Sequence, residues 1–368
     1  MTIAEYLKER AEALTENAGR IKDPRVFNFN FMPDQPMMRE EAKPIIDACL
    51  RYLSTDIPAN LYIYGSRGTG KTLMVRYIGR LLEKHHNAKV VYANCRKTNT
   101  SFKILADLLG VRPRGYSLDE LWKKFTASHT ERIIMILDEC DLLSDKDVNR
   151  DLLYLVSRSP RNYMAILLSN QPQFFSTLDE SVRSTLQPEL VHFRNYNAVE
   201  IAEILKDRAI LGLGSVPEDV ISEIAALTVR VTNSDARVAI KTLYDVALNE
   251  SHDVNAVFER ASRDLVTDIV TNLDDRNLLI LKSAASVPEP FVKAIYERYR
   301  KISIEESEEP FSYSYFLSNL SYLQSLGLIA LVSTKVGRTY TNRIQRLFDP
   351  SVIEAAWKIR FPDQWKTG

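Results

Sequence analysis

The stretch Leu61-Tyr62-Ile63-Tyr64-Gly65-Ser66-Arg67-Gly68-Thr69-Gly70-Lys71-Thr72 decides the reading of this chain. Its first four residues predict a short strand, Gly65 to Thr72 has the form G-x-x-x-x-G-K-T, and the apolar spacing beyond predicts a helix from about Lys71 to Glu83. Gly65, Gly68 and Gly70 can take the backbone angles that turn successive N–H groups inward, and a helix N-terminus behind them adds partial positive charge. The backbone of Ser66, Arg67 and Thr69 completes a wrap for a phosphate chain. Lys71 is long enough to reach the β- and γ-phosphates of a nucleotide, and the Thr72 hydroxyl suits a Mg²⁺ ion. A glycine-rich turn that binds nothing is the bland rival. Strand, spacing, Lys-Thr pair and helix agree against it.

Working outward, strands and helices alternate. A helix from about Arg39 to Leu53 precedes the loop, and residues 2–20 read as a polar helix. Beyond it come a strand over 88–93, helices over 101–109 and 118–128 divided by the loop at 110–115, and two continuous apolar runs, 133–137 and 163–168. Such runs suit central parallel strands buried on both faces, and the alternation predicts a doubly wound α/β layer. From Ala198 the periodicity is helical, with segments at 199–209, 217–229, 234–249 and 255–270. A third region opens near Leu273. The chain is thus expected to hold an α/β nucleotide-binding domain at 1–196, a helical lid at 197–272 and a further domain at 273–368.

Composition limits the choices. Lysine plus arginine equals aspartate plus glutamate, 48 each, so any nucleic-acid surface has to be local. No apolar run approaches the ~18 residues of a membrane span, and the charged start of the chain does not read as a secretion signal, so the expected place is the cytoplasm, at the nucleoid, with no membrane partner. Cys49, Cys95 and Cys140 are odd in number and far apart, which argues against a disulfide frame or a zinc site.

Asp138-Glu139 closes the 133–137 run, at the carboxyl end of a buried strand where such sheets place ligands. Asp138 suits the Mg²⁺ shell, and Glu139 suits polarising an attacking water. Asn170 ends the next strand and can sense a γ-phosphate; Arg237, a cation in the first turn of a lid helix, opposes the helix dipole and so calls for an anionic partner such as a nucleotide phosphate. The rivals are a strand-end acidic turn, a turn asparagine and a solvated arginine.

In this order, Gly65–Thr72, Asp138-Glu139, Ser169-Asn170 and Ser234–Arg237, the chain resembles an AAA+ ATPase, and more closely the archaeal origin-recognition and cell-division-cycle type replication initiators. Arg39-Glu40-Glu41, Asn94-Cys95-Arg96, Tyr196 and Arg208 add to the resemblance, which spans nearly the whole chain. It implies ATP or ADP with Mg²⁺ as cofactors, Arg39 and Arg208 near the nucleotide and Tyr196 on its base. It also implies that an insertion of about 97–109 touches duplex DNA through Arg96, Lys97 and Lys103. The implied partners are double-stranded origin DNA, paralogous initiators and the replicative helicase. Two positions depart from the pattern: Ser181 stands where relatives carry an arginine aimed at a neighbour's nucleotide, with Arg183 two residues on, and Ser234 stands where relatives tend to have glycine.

Residues 275–368 read as three helices and a hairpin, the winged form of helix-turn-helix. Between Pro310 and Phe348 there is no acidic residue, but there are Lys335, Arg338, Arg343 and Arg346. Lys335, Gly337, Arg338 and Tyr340 suit a hairpin tip entering a minor groove, and Arg343 lies on the same hairpin. The third helix offers Ser314 and other hydroxyls but no arginine, so strong direct base readout is not expected. A winged helix used for protein contact is the rival here. The expected function is an ATP-dependent initiator that binds origin duplex DNA and changes shape between its ATP and ADP states, with weak ATP hydrolysis. The alternative is an ADP-locked DNA-binding regulator with negligible hydrolysis, a reading favoured by Ser181 and the arginine-poor third helix.

Overall fold

The computed structural model describes residues 2–360, apart from 4, 6, 9–20, 87, 113, 145–146, 148–149, 161–162, 215–216, 250–252, 289 and 337–338. Most of the helix expected over 2–20 lies outside the described residues. The chain divides into two compact units, residues 32–194 and residues 1–31 with 195–368. The sheet unit thus ends at residue 194, and the N-terminal segment groups with the helical part of the chain.

Within 32–194 the order is α1 (Ala42–Thr55), β1 (Leu61–Tyr64), α2 (Lys71–His86), β2 (Lys89–Asn94), α3 (Ser101–Leu108), α4 (Leu118–Ser128), β3 (Ile133–Asp138), α5 (Asp151–Ser157), β4 (Met164–Ser169), α6 (Glu180–Leu186) and β5 (Glu189–His192). The strands form one sheet in the order β2-β3-β4-β1-β5, with every pair parallel. All six residues of β3 and of β4 are buried, which is why both read as unbroken apolar runs. Their alternate side chains feed two cores. Met135, Leu137, Ala165 and Leu167 pack with α3, α4, α5 and α6, whereas Ile134, Ile136, Ile166 and Leu168 pack with α1 and α2. Each fully buried Leu or Ile contributes about 1.5–3 kcal/mol relative to exposure, so the doubly covered centre holds the layer together.

The second unit begins with four helices, α7 (Ala198–Gly212), α8 (Glu218–Val231), α9 (Ala236–Asn249) and α10 (Val254–Thr271). The described N-terminal residues lie on them: Lys22 N donates to the Gly212 carbonyl at 2.9 Å, Ile21 bridges to Leu213, and Phe27 meets Tyr244 at 5.4 Å between ring centroids. A Cβ on Gly212 would sit 2.5 Å from the Phe27 ring, so only glycine allows this approach. Next come α11 (Asp275–Ser286), α12 (Val292–Glu305), α13 (Tyr313–Ser325), the antiparallel hairpin β6 (Ile329–Val336) and β7 (Thr339–Arg346), and α14 (Pro350–Arg360). Three helices and a hairpin is the expected winged arrangement, closed by a helix that the sequence reading did not assign. Leu279, Ile295, Tyr299, Phe316, Leu323, Ile344 and Trp357 share its core. The acidic segment near Glu306 is tied down by Arg276 to Glu308 at 3.3 Å and Lys282 to Glu306 at 3.8 Å.

Candidate nucleotide-binding site

Parallel register brings the predicted groups to one edge of the sheet. Tyr64 stands opposite Ser169 and Asn94 opposite Asp138, so the chain leaves β1, β2, β3 and β4 at neighbouring carboxyl ends. From β1 the chain enters the glycine loop. Gly68 and Gly70 have φ of +75° and +83°, the left-handed region that glycine reaches without cost. Gly65 packs so closely on β5 that a Cβ would lie 2.3 Å from the Phe193 carbonyl oxygen. Thr69 Oγ1 donates to the Ser66 carbonyl at 2.9 Å, which fastens the loop across its own turn.

Lys71, the first residue of α2, is 7% exposed. Its Nζ donates to the Gly65 and Ser66 carbonyls at 2.7 and 2.8 Å and to Asn170 Oδ1 at 3.1 Å, so the ammonium and the end of β4 already meet. Thr72 Oγ1 and Tyr92 OH both donate to Asp138 Oδ2, at 2.9 and 2.7 Å, and the Glu139 N–H donates to Oδ1. Asp138 is 4% exposed, and burial holds its proton above the ordinary aspartate range against the pull of those donors.

Glu139 breaks out of the strand with φ +52° and ψ +43°. A non-glycine residue in the left-handed region is uncommon and costs free energy; here it turns the carboxylate off the line of β3. Asn94 Nδ2 reaches Oε2 at 3.3 Å, and Arg96 donates through Nε to Oε2 at 3.0 Å and through its terminal nitrogen to Oε1 at 3.3 Å. Sequence reasoning set Arg96 on DNA and Glu139 on water. The fold puts the two in one ion pair.

Arg39 is 2% exposed. It donates to the Thr69 carbonyl at 2.8 Å, to Glu41 and to the Arg194 carbonyl, each at 2.9 Å, and lies over the Phe193 ring. It therefore meets the glycine loop through backbone. That role was not legible from Arg39-Glu40-Glu41 alone, since the carbonyls it serves are 30 and 155 residues away.

The lid residues belong to the second unit. Tyr196 is buried there. Arg208 donates to the Val26 carbonyl and to the Phe31 carbonyl at 3.4 Å, and its guanidinium lies over the Phe31 ring at 4.7 Å. Burial pulls its pKa down to about 10, which leaves it charged at neutral pH. Arg237 finds a local anion in Asp235, with Nε to Oδ1 at 2.9 Å, at the start of α9. Asn233 and Ser234 just before it have φ of +55° and +63°, which explains why a glycine would suit position 234.

The residues expected to touch DNA fall into two groups. Lys97 is exposed after β2, and Lys103 is exposed on α3, its Nζ on Asn99 Oδ1 at 3.0 Å. Ser314 and Arg343 are exposed on α13 and β7. Lys335 and Tyr340 are backbone register partners in the hairpin, whereas Gly337 and Arg338 lie outside the described residues. Arg346 folds back onto the Ala285 carbonyl at 3.2 Å. Ser181 and Arg183 are both exposed on α6.

The donor set fits a Mg²⁺ nucleotide: hard oxygens from Thr72 and Asp138 lie together, beside an ammonium and a loop with left-handed glycines. Among the described residues no helix is long and apolar enough to cross a membrane.

Comparison with known proteins agrees with this geometry. Residues 58–178 match the family model described as an AAA domain. The ORC1-type DNA replication protein 1 of Sulfurisphaera tokodaii is 30% identical over 84% of this chain and 85% of its own length. Among solved structures, the Aeropyrum pernix ORC1 protein in complex with DNA superposes with a TM-score of 0.65 at 24% identity, covering 93% of this chain and 97% of that one. The Aeropyrum pernix ORC2 protein, solved as ADPNP-ADP complexes, also gives 0.65, at 21% identity over 94% of this chain and all of its own. At those identities the two structures speak for the fold, and the Sulfurisphaera relative carries the assignment. With the glycine loop, the Asp138-Glu139 strand end and Asn170 gathered on one sheet edge, the chain belongs to the archaeal ORC1-type family of DNA replication proteins, which are built on an AAA ATPase domain.

Proposed function

We propose that this protein is an ATP-dependent replication initiator: it holds ATP or ADP with Mg²⁺ at the Gly65–Thr72 loop and binds origin duplex DNA. Paralogous initiators and the replicative helicase are its partners in the same reading. The observation that carries it is a pair of hydrogen bonds from adjacent residues of α2 to the ends of two strands, Lys71 to Asn170 and Thr72 to Asp138. Loop N–H groups and Lys71 bind the phosphates, Thr72 and Asp138 hold the ion, and Asn170 sits beside the γ-phosphate. A bound Mg²⁺ would neutralise phosphate charge. Glu139 acts as the group that orients and deprotonates water once Arg96 lets go of it. Until then hydrolysis is slow, because both carboxylate oxygens are engaged by Arg96 and Asn94 instead of a water. Lys97 and Lys103 on one unit, and Lys335, Arg338 and Arg343 on the other, supply phosphate contacts to DNA; five such contacts give a log–log salt slope of roughly −4 to −5.

Two substitutions test the site. Lys71→Ala is expected to abolish binding of ADP and ATP in a fluorescence titration. Glu139→Gln is expected to bind ATP and to cut hydrolysis by ~10²-fold or more. Turnover at the wild-type rate in the glutamine variant would remove Glu139 from the chemistry.

A further inference from the structure

A third acid follows the Asp138-Glu139 pair in the turn after β3. Asp141 lies in the short turn Cys140–Leu142 after β3. Its Oδ1 accepts the backbone N–H of Asn170 at 3.1 Å, while Oδ2 is buried with no hydrogen-bond partner. The Ser169 hydroxyl, which donates to the Gln171 carbonyl at 3.1 Å, also lies against the Asp141 carboxyl and favours its charged form. Burial also holds the Asp141 proton above the ordinary aspartate range.

The sheet explains what the carboxylate does for Asn170. The β1–β4 ladder stops at Tyr64 opposite Ser169, and the β3–β4 ladder stops at Leu137 opposite Leu167. Asn170 is one residue past the first ladder and three past the second, beyond the paired part of β4. Asp141 supplies the acceptor for its N–H. From that fixed backbone the Asn170 side chain turns Oδ1 to Lys71 Nζ at 3.1 Å. With Oδ1 committed to the ammonium, the amide has its two N–H donors left for a phosphate oxygen.

We infer that Asp141 is a positioning residue. By capping the end of β4 it fixes the height and direction of the Asn170 amide, and so sets how well the site tells a triphosphate from a diphosphate. The inference rests on the nucleotide reading above and names a residue and a discrimination that reading leaves open.

The test compares Asp141→Ala and Asp141→Asn in the full chain, with affinity for ADP, affinity for a non-hydrolysable ATP analogue and single-turnover ATP hydrolysis as readouts. In the alanine variant ADP affinity is expected to stay within about twofold of wild type, since the loop and Lys71 are untouched. Preference for the triphosphate analogue should fall about tenfold, and hydrolysis by roughly ten- to a hundredfold, the usual consequence of a misplaced catalytic group. Asp141→Asn keeps an acceptor oxygen for the Asn170 N–H and should restore both. In an Asn170→Ala background, Asp141→Ala should change neither readout beyond about twofold, because the two act in series. Equal loss of ADP and ATP-analogue affinity overturns the inference, as do additive effects in the double variant. If Asp141→Ala does not fold, Asp141→Asn decides alone: a folded asparagine variant that has lost the discrimination contradicts a positioning role. Wild-type protein that binds neither nucleotide would sink the nucleotide reading itself, a result distinct from all of these.

Discussion

Glu139 is held by the residue that its neighbourhood could most easily spare. Arg96 places two nitrogens on its carboxylate and is about half exposed, so the same guanidinium can be drawn off by an outside anion. A half-exposed pair of this kind is worth about 1 kcal/mol and weakens with salt. Removing it should therefore free the carboxylate cheaply. Arg96→Ala is expected to raise single-turnover ATP hydrolysis about fivefold, the kinetic equivalent of that 1 kcal/mol, with ATP affinity little changed. A lower rate in that variant would mean that Arg96 assists the chemistry. Arg39 shows the opposite arrangement. It is buried and committed to the Thr69 and Arg194 carbonyls, so it stiffens the glycine loop without facing solvent.

At the scale of elements, the glycine loop packs against the end of β5 with no room for a side chain. Gly65 meets the Phe193 carbonyl, which is backbone and cannot swing aside. Gly65→Ala should lower stability by about 1–3 kcal/mol in denaturant melts and weaken ADP binding together with it. A variant with an unchanged midpoint would show that the loop and β5 separate freely. Much of this layer was readable in advance. The runs at 133–137 and 163–168 announce β3 and β4 because a strand covered on both faces has to be apolar throughout. β5 escaped because only Val191 of its four residues is buried, which leaves an edge strand without a pattern. The short helices α5 and α6, of seven residues each, carry too few turns for a periodicity to emerge. In the site, Lys71, Thr72, Asp138 and Asn170 were legible from local motifs. The Tyr92 hydroxyl on Asp138, the Arg96 pair and the Asp141 cap were not, since each joins side chains or backbone 29 to 46 residues apart through strand register.

For the whole molecule, neutrality of the total charge hides a division of labour. The span 310–348 carries cations and no acid, and two of the acidic residues just before it, Glu308 and Glu306, are paired to Arg276 and Lys282. In the proposed function the hairpin on one unit and the 97–109 insertion on the other each hold DNA, and the bound nucleotide sets how tightly they do so together. That is a coupling between two sites, and it must be reciprocal. The direct test is the affinity of the full chain for an origin duplex, measured by fluorescence anisotropy with a non-hydrolysable ATP analogue, with ADP and with neither, alongside Lys71→Ala. The account predicts that the ATP-analogue and ADP states differ by about 5- to 150-fold, and that Lys71→Ala binds the duplex with one affinity under all three conditions. Identical affinities for wild-type protein in all three states, with nucleotide binding verified, would contradict it.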